Sequence, residues 1–325
     1  MGAEGPRIPQ RKREAMAEVS ETPLPVRVLD MRVIAAFAAI YLVWGSTFLV
    51  IRYAVETIPP LLLVGMRSVC AGAILYAWAW QRGEARLGWR EWRIAAVGGF
   101  FFFVVSHGSL AWAEQYVPSG VAAVVLALIP AWVVLLDWLR PGGSRPTVLV
   151  LAGVLLGFVG LLLLVGPQAV SEGFSSNVIA TVVLATGAMG WAFGTVFTRY
   201  TKIHASPIAT SAMQLLSGGA MLFVAGSLAG EWPALIAHPP DRRSLLSLLY
   251  LILMGSVVTF SAYIWLLRTT SPARVATYAY VNPLVAVLLG WLFAGEVITA
   301  QILAASVLII GAVALVITVQ GRRTA

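Results

Sequence analysis

The sequence predicts an all-α membrane protein, with ten transmembrane helices in an inverted five-plus-five repeat and both termini in the cytoplasm. Three observations predict it: the composition, the spacing of the apolar runs, and an echo between the two halves of the chain. Of 325 residues, 59% are hydrophobic and 11% charged, against about 25% charged in ordinary soluble domains. A water-soluble globule is excluded.

Apolar runs recur at 33–55, 59–80, 93–114, 118–139, 146–166, 177–200, 207–229, 244–267, 272–295 and 299–320. Each is close to the ~20 residues that cross a hydrocarbon core ~30 Å thick. The loops between them are short, so neighbouring spans run antiparallel. Residues 1–31 are polar, mixed in charge and without the apolar core of a signal peptide. They read as a disordered cytoplasmic tail, with Met31 an alternative start of translation. With that tail inside, 18 of the 22 Lys and Arg residues fall on the cytoplasmic side, against Arg52, Arg242 and Arg243 outside and Arg67 within a span. Positive charge accumulates on the cytoplasmic side of membrane proteins, which places both termini there. The same distribution accounts for the net charge of +8 through topology, so no nucleic-acid partner is expected.

The echo is internal. A shift of 147 residues superposes Trp44 on Trp191, Arg52 on Arg199, Pro60 on Pro207, Met66 on Met213 and Gly72 on Gly219 without a gap. Further on, a shift of 153 places Trp112 on Trp265, Pro130 on Pro283 and Trp138 on Trp291. The first repeat then spans 32–167 and the second 177–320. Five spans each, an odd number, force the second to insert upside down, and inverted repeats mark secondary transporters whose substrate site lies near the midplane.

Polar residues inside spans are where chemistry is expected. Arg67 lies roughly 10 Å into the second span at 1.5 Å per residue, where a charge costs roughly 2.5–3.5 kcal/mol on insertion scales. It snorkels outward, bonds carbonyls of a neighbouring span or meets an anionic substrate group, and its repeat equivalent is the uncharged Gln214. His107 is the ionisable side chain well inside the third span, either a fixed hydrogen-bond donor or a group that exchanges a proton. Glu56, Glu114, Asp137 and Glu296 all fall at span borders, leaving no obvious carboxylate for proton antiport. Trp44 and Trp191, near span centres, either pack across the repeat axis or wall a cavity. Tyr263 and Trp265 in the eighth span and Tyr278, Tyr280 and Asn282 in the ninth are expected to line it, since buried hydroxyls and amides need partners. Pro130 and Pro283 are equivalent helix bends and the hinge candidates. The glycines of the fifth and tenth spans read as close-packing positions, for the bundle or for an oligomer contact. One cysteine, Cys70, and three scattered histidines leave no disulfide and no metal motif.

The motifs WGSTF at 44–48, PSGVAA at 118–123, WAFGTV at 191–196 and SPARVATYAYVNPLVAVLLGWLFAGE ending at Glu296 resemble the EamA-type permeases of the drug/metabolite transporter superfamily, and within it the YedA-type inner-membrane permeases. The likeness covers about 33–320 and takes in motifs of both repeats in order. It implies alternating access and export of amino acids or related metabolites. Spans three, four, eight and nine would surround the cavity, one, two, six and seven would gate it, and five and ten would buttress it. By that pattern the cavity candidates are His107, Ser109, Trp112, Tyr263, Tyr278 and Asn282, with Trp44 and Trp191 from the gates. Two departures stand out: Gly143 falls at the shifted position of Glu296, and His107 replaces an uncharged amide common in relatives.

The expected partners are a small-molecule substrate and the lipid bilayer, with no cofactor or metal, and the protein is a monomer or homodimer. An intramembrane enzyme needs a nucleophile–base pair, a metal site or an acidic diphosphate motif, none of which the chain carries. A membrane-embedded ligand sensor without transport stays open on residues alone.

Overall fold

The computed structural model describes residues 31–84, 88–143, 145–165, 176–201, 203–270, 275 and 277–321. The tail expected over 1–31 lies outside them except for Met31, as do Arg274 and the side chain of Tyr280. The described residues from Ala36 onward form one compact unit.

Regular structure among the described residues is helical throughout: α1 Met31–Ala54, α2 Pro60–Gln81, α3 Trp89–Ala113, α4 Ser119–Leu139, α5 Val148–Val165, α6 Ser176–Tyr200, α7 Pro207–Leu228, α8 Arg242–Thr269, α9 Tyr278–Ala294 and α10 Ala300–Gly321, with a short helix Glu231–Ala237 between α7 and α8. Seven of them, α1–α4 and α6–α8, are long and apolar enough to cross a membrane. The apolar stretches of α5, α9 and α10 are shorter, at Val148–Leu163, Val281–Ala294 and Ala300–Val316.

Local chemistry sets the helix ends. Pro60 and Pro207 open α2 and α7, positions where a missing N–H costs nothing because no carbonyl awaits it. Ser206 Oγ accepts from Ala209 N at 3.1 Å and Asp241 from Ser244 N at 2.7 Å, capping α7 and α8. Two carboxylates do the same from a distance in sequence. Glu231 accepts from Leu61 N and Leu62 N at the start of α2, at 3.2 and 2.8 Å. Glu296 accepts from Ser119 N and Gly120 N at the start of α4, at 2.8 and 3.2 Å. Both positions suit an anion, because a helix start presents unsatisfied N–H groups and a positive dipole end. α9 stops at Gly295, whose φ of +64° a side chain resists.

α2 packs closely against α7. A Cβ on Gly72 would come 2.9 Å from Leu216 N, and one on Gly219 would come 2.9 Å from Val69 N, so only glycine allows this approach. The two contacts are reciprocal, since the 147-residue shift carries Gly72 to Gly219 and Val69 to Leu216. Away from this seam, Val150 and Val154 of α5 cluster with Val316 of α10. α1, α3 and α8 each contain a π-helical stretch, at Ala39–Val43, Phe100–Gly108 and Leu251–Val258. Such widened turns are uncommon and frequent at functional sites.

Candidate functional site

The widened turns of α1 and α3 flank a cavity walled by α1, α3, α4, α6 and α9. Counting the part that opens outward, its atom-free space is about 530 Å³, of which a water molecule's centre can occupy about 60 Å³. That is room for several waters, so a larger solute needs the walls to part. Trp44 and Thr47 of α1, Ser106, His107 and Leu110 of α3, Ala127 and Ile129 of α4, Trp191 of α6, and Tyr278, Asn282 and Pro283 of α9 line it.

Aromatic rings build the wall. Trp44 and Trp191 meet edge to face with centroids 5.5 Å apart, a favoured quadrupole arrangement. Tyr263 and Tyr278 lie 5.2 and 5.5 Å from the Trp44 ring. The tryptophans therefore both pack on each other and face the cavity. Trp44 Nε1 donates to Gly255 O at 3.0 Å. Trp191 Nε1 is buried and turns toward the Tyr263 and Tyr278 hydroxyls without closing a hydrogen bond. A buried orphan donor costs about 1–3 kcal/mol, and a solute or water oxygen in the cavity would relieve it.

His107 is held on both sides. Its Nδ1 lies 2.9 Å from Phe102 O, and because a carbonyl only accepts, Nδ1 carries the hydrogen and Nε2 is left as an acceptor. Phe103 stacks on the ring at 5.4 Å and Trp191 approaches at 5.3 Å. On the opposite wall Pro283 interrupts α9, so Ala279 O lacks its helical donor one turn back, and Ala279 faces the cavity. Asn282, 5% exposed, turns its amide nitrogen to Ile40 O at 3.0 Å and Tyr41 O at 3.1 Å, carbonyls within the widened turn of α1.

The remaining expected residues sit elsewhere. Arg67 is 2% exposed and does not line the cavity. Its Nε donates to Ser256 Oγ at 2.7 Å and its Nη2 to Gly255 O at 3.2 Å, while Nη1 has no partner. These are polar contacts to the neighbouring helix α8. Thr47, which lines the cavity, abuts Gly255 alongside Arg67, so the guanidinium lies one layer behind the wall. Tyr263 is buried there too, its hydroxyl 3.0 Å from Thr195 Oγ1. Ser109 packs toward Gly187 of α6, and Trp112 packs on Tyr116 at 4.9 Å. Pro130 is buried next to the lining residue Ile129. No cluster of metal-ligating side chains occurs among the described residues.

Sequence reasoning missed a latch at one end of the site. Arg52 Nη1 lies 3.3 Å from Glu296 Oε1, tying α1 to the end of α9. Beside it Tyr53 donates to Phe293 O at 2.8 Å, and Arg243 stacks on Tyr53 while reaching Glu56 at 3.5 Å. The available signal was that Arg52 and Glu296 were both charged residues at span borders on the same side.

The model of the EamA-like transporter family matches residues 31–166 and again residues 178–318. The uncharacterized inner membrane transporter YedA of Escherichia coli K12 is 36% identical over 265 residues, covering 81% of this chain and 83% of that one. Protein PecM of Dickeya dadantii is 29% identical over 262 residues, covering 77% and 80%. A protein known from its crystal structure superposes with a TM-score of 0.63 over 90% of this chain and 99% of that one, at 22% identity, a likeness of fold.

Proposed function

The chain belongs to the EamA-like transporter family, a family of membrane transporters, and we propose that it moves amino acids or related small metabolites across the cell inner membrane by alternating access. In this reading two inverted five-span halves enclose the aromatic cavity, and the cavity opens to one side and then the other. The observation that carries it is the meeting of Trp44 and Trp191, repeat equivalents, at a small cavity with an unmet donor and a proline-broken helix.

Further support comes from the two successive family matches, from the reciprocal Gly72 and Gly219 contacts, and from the π-helical stretches of α3 and α8 at corresponding places. The substrate class follows from the wall: aromatic faces for an apolar or aliphatic part, the Trp191 N–H and His107 Nε2 for polar atoms, and the unpaired Nη1 of Arg67 one layer behind for a carboxylate. Binding energy released in one state and not the other would drive the walls apart. The latch of Arg52 and Glu296 would close the outer side, and the lysine and arginine bias would keep both termini inside.

Counterflow of labelled amino acids into proteoliposomes tests this reading. Tyr278→Ala should abolish counterflow while the protein still expresses and folds. Binding without flux in the unaltered protein would turn the reading into that of a sensor.

A further inference from the structure

Glu114 stands one turn beyond Leu110, a cavity-lining residue of α3, at the same end as the Arg52–Glu296 latch. It is 2% exposed, and neither of its carboxyl oxygens has a hydrogen-bond partner. The charged groups facing it are Glu296, at the junction of α9 and α10, and Arg52 of α1. Glu296 is already satisfied, accepting from Ser119 N, Ser119 Oγ and Gly120 N and bridged to Arg52. Glu114 has no donor, and an ionised carboxylate buried without one pays a desolvation cost that Arg52, already bridged to Glu296, offsets only in part. The neutral acid avoids that cost.

We propose that Glu114 is a proton-binding site of this protein, whose carboxyl holds a proton while Arg52 and Glu296 are bridged and gives it up to water when that bridge opens. Burial, and then the charge of Glu296, push the Glu114 carboxyl well above the ordinary carboxylate range, with Arg52 pulling the other way. Opening admits water and frees Arg52, and both changes favour the carboxylate. The step moves one proton between the Glu114 carboxyl and the adjoining water, and no other bond forms or breaks. Acid therefore holds this end shut and alkali loosens it. The inference rests on the alternating-access reading only in requiring that the bridge opens.

Infrared spectra of the protein in lipid vesicles test it without a transported solute. The carbonyl band of a protonated carboxyl should persist well above the pH at which an ordinary glutamate ionises, and disappear in Glu114→Gln. In Glu296→Gln it should remain with a lower midpoint. Spin labels on Tyr116→Cys and Val297→Cys, both exposed at this end, in a Cys70→Ser background should separate as pH rises, and stay close at every pH when Glu114→Gln is added. If the glutamine variant does not fold, Glu114→Asp replaces it, and the band must survive with a shifted midpoint. An unchanged band in the Glu114 variants, a label separation that follows pH equally with and without Glu114, or a midpoint that moves with sodium at constant ionic strength overturns the proposal. Failure of counterflow with these signatures intact would instead count against the transport reading alone.

Discussion

The seam between α2 and α7 and the cavity between Trp44 and Trp191 are built from equivalent stretches of the two halves, yet they treat that equivalence in opposite ways. At the seam the chemistry is the same on both sides: a Cβ added at Gly72 or at Gly219 would meet a backbone nitrogen of the facing helix at 2.9 Å. At the cavity it differs. Under the 153-residue shift His107 corresponds to Phe260 and the lining residue Ile129 to Asn282. Nearby, Arg67 of α2 bonds Ser256 and Gly255 of α8, whereas its equivalent Gln214 bonds Thr198 on α6 at 3.1 Å. The difference is instructive. Close packing is satisfied by matched surfaces, while recognising a molecule with distinct polar and apolar parts requires unmatched ones.

The comparison can be broken most forcefully at the seam. Gly72→Leu and Gly219→Leu should each cost about 3 kcal/mol by overpacking, read as lost folded protein or a lowered unfolding temperature in detergent. Losses differing by more than about 1 kcal/mol would deny the reciprocity. At the cavity, Asn282→Ile makes the two walls alike and leaves Ile40 O and Tyr41 O without their donor. Counterflow should fall about 30-fold, equivalent to about 2 kcal/mol, and an undiminished rate would detach α9 from the site. Arg67→Gln copies the other half directly. Removing a buried cation also removes its desolvation cost, so the unfolding temperature should hold, while counterflow of carboxylate-bearing solutes drops about tenfold, equivalent to ~1.4 kcal/mol. Equal loss for carboxylates and their amides would show that the Arg67 charge does not meet the substrate.

The smallest effect belongs to neither region and serves as their control. Backbone and side-chain hydrogen bonds from Ser244 hold the Asp241 carboxyl below its ordinary value. A depressed folded-state pKa means that this stabilisation is fully present above the ordinary aspartate value of ~3.9 and is lost as pH falls through the lower folded value. Asp241→Ala should therefore lower the unfolding temperature slightly at neutral pH and not at all in strong acid, with counterflow unchanged. A gap that persists in acid would assign the cap's effect to something other than its charge.

Legibility in the sequence varied by residue. Trp44, Trp191, His107, Tyr278, Asn282 and Pro283 stood out because a polar, large aromatic or proline residue deep in an apolar run is conspicuous, and the structure places all six at the cavity. Ser109 and Trp112 were conspicuous for the same reason and face α6 and Tyr116 instead, while Ser106 and Leu110 of the same helix line the cavity. The cause is geometric. Over Phe100–Gly108 the helix closes on i→i+5 bonds, and each residue so inserted rotates the remainder of the helix by about 100°. Ala127 and Ile129 carried no signal, being ordinary apolar residues of an ordinary span. Glu114 was visible only as a border carboxylate, and the charges that act on it, Glu296 and Arg52, lie far from it in the chain.

By itself the sequence determined the class of molecule: an apolar chain whose long uncharged runs leave a membrane as the only solvent that suits it, carrying family motifs in both halves. Transfer free energy is a sum over neighbours along the chain, so it can be read one residue at a time. Only the tertiary structure decided which faces meet, that Arg67 sits behind the wall, that Glu296 caps α4 while bridging Arg52, and that Glu114 is left without a donor. Those depend on helix rotation and on contacts between residues more than a hundred positions apart, which no local pattern specifies.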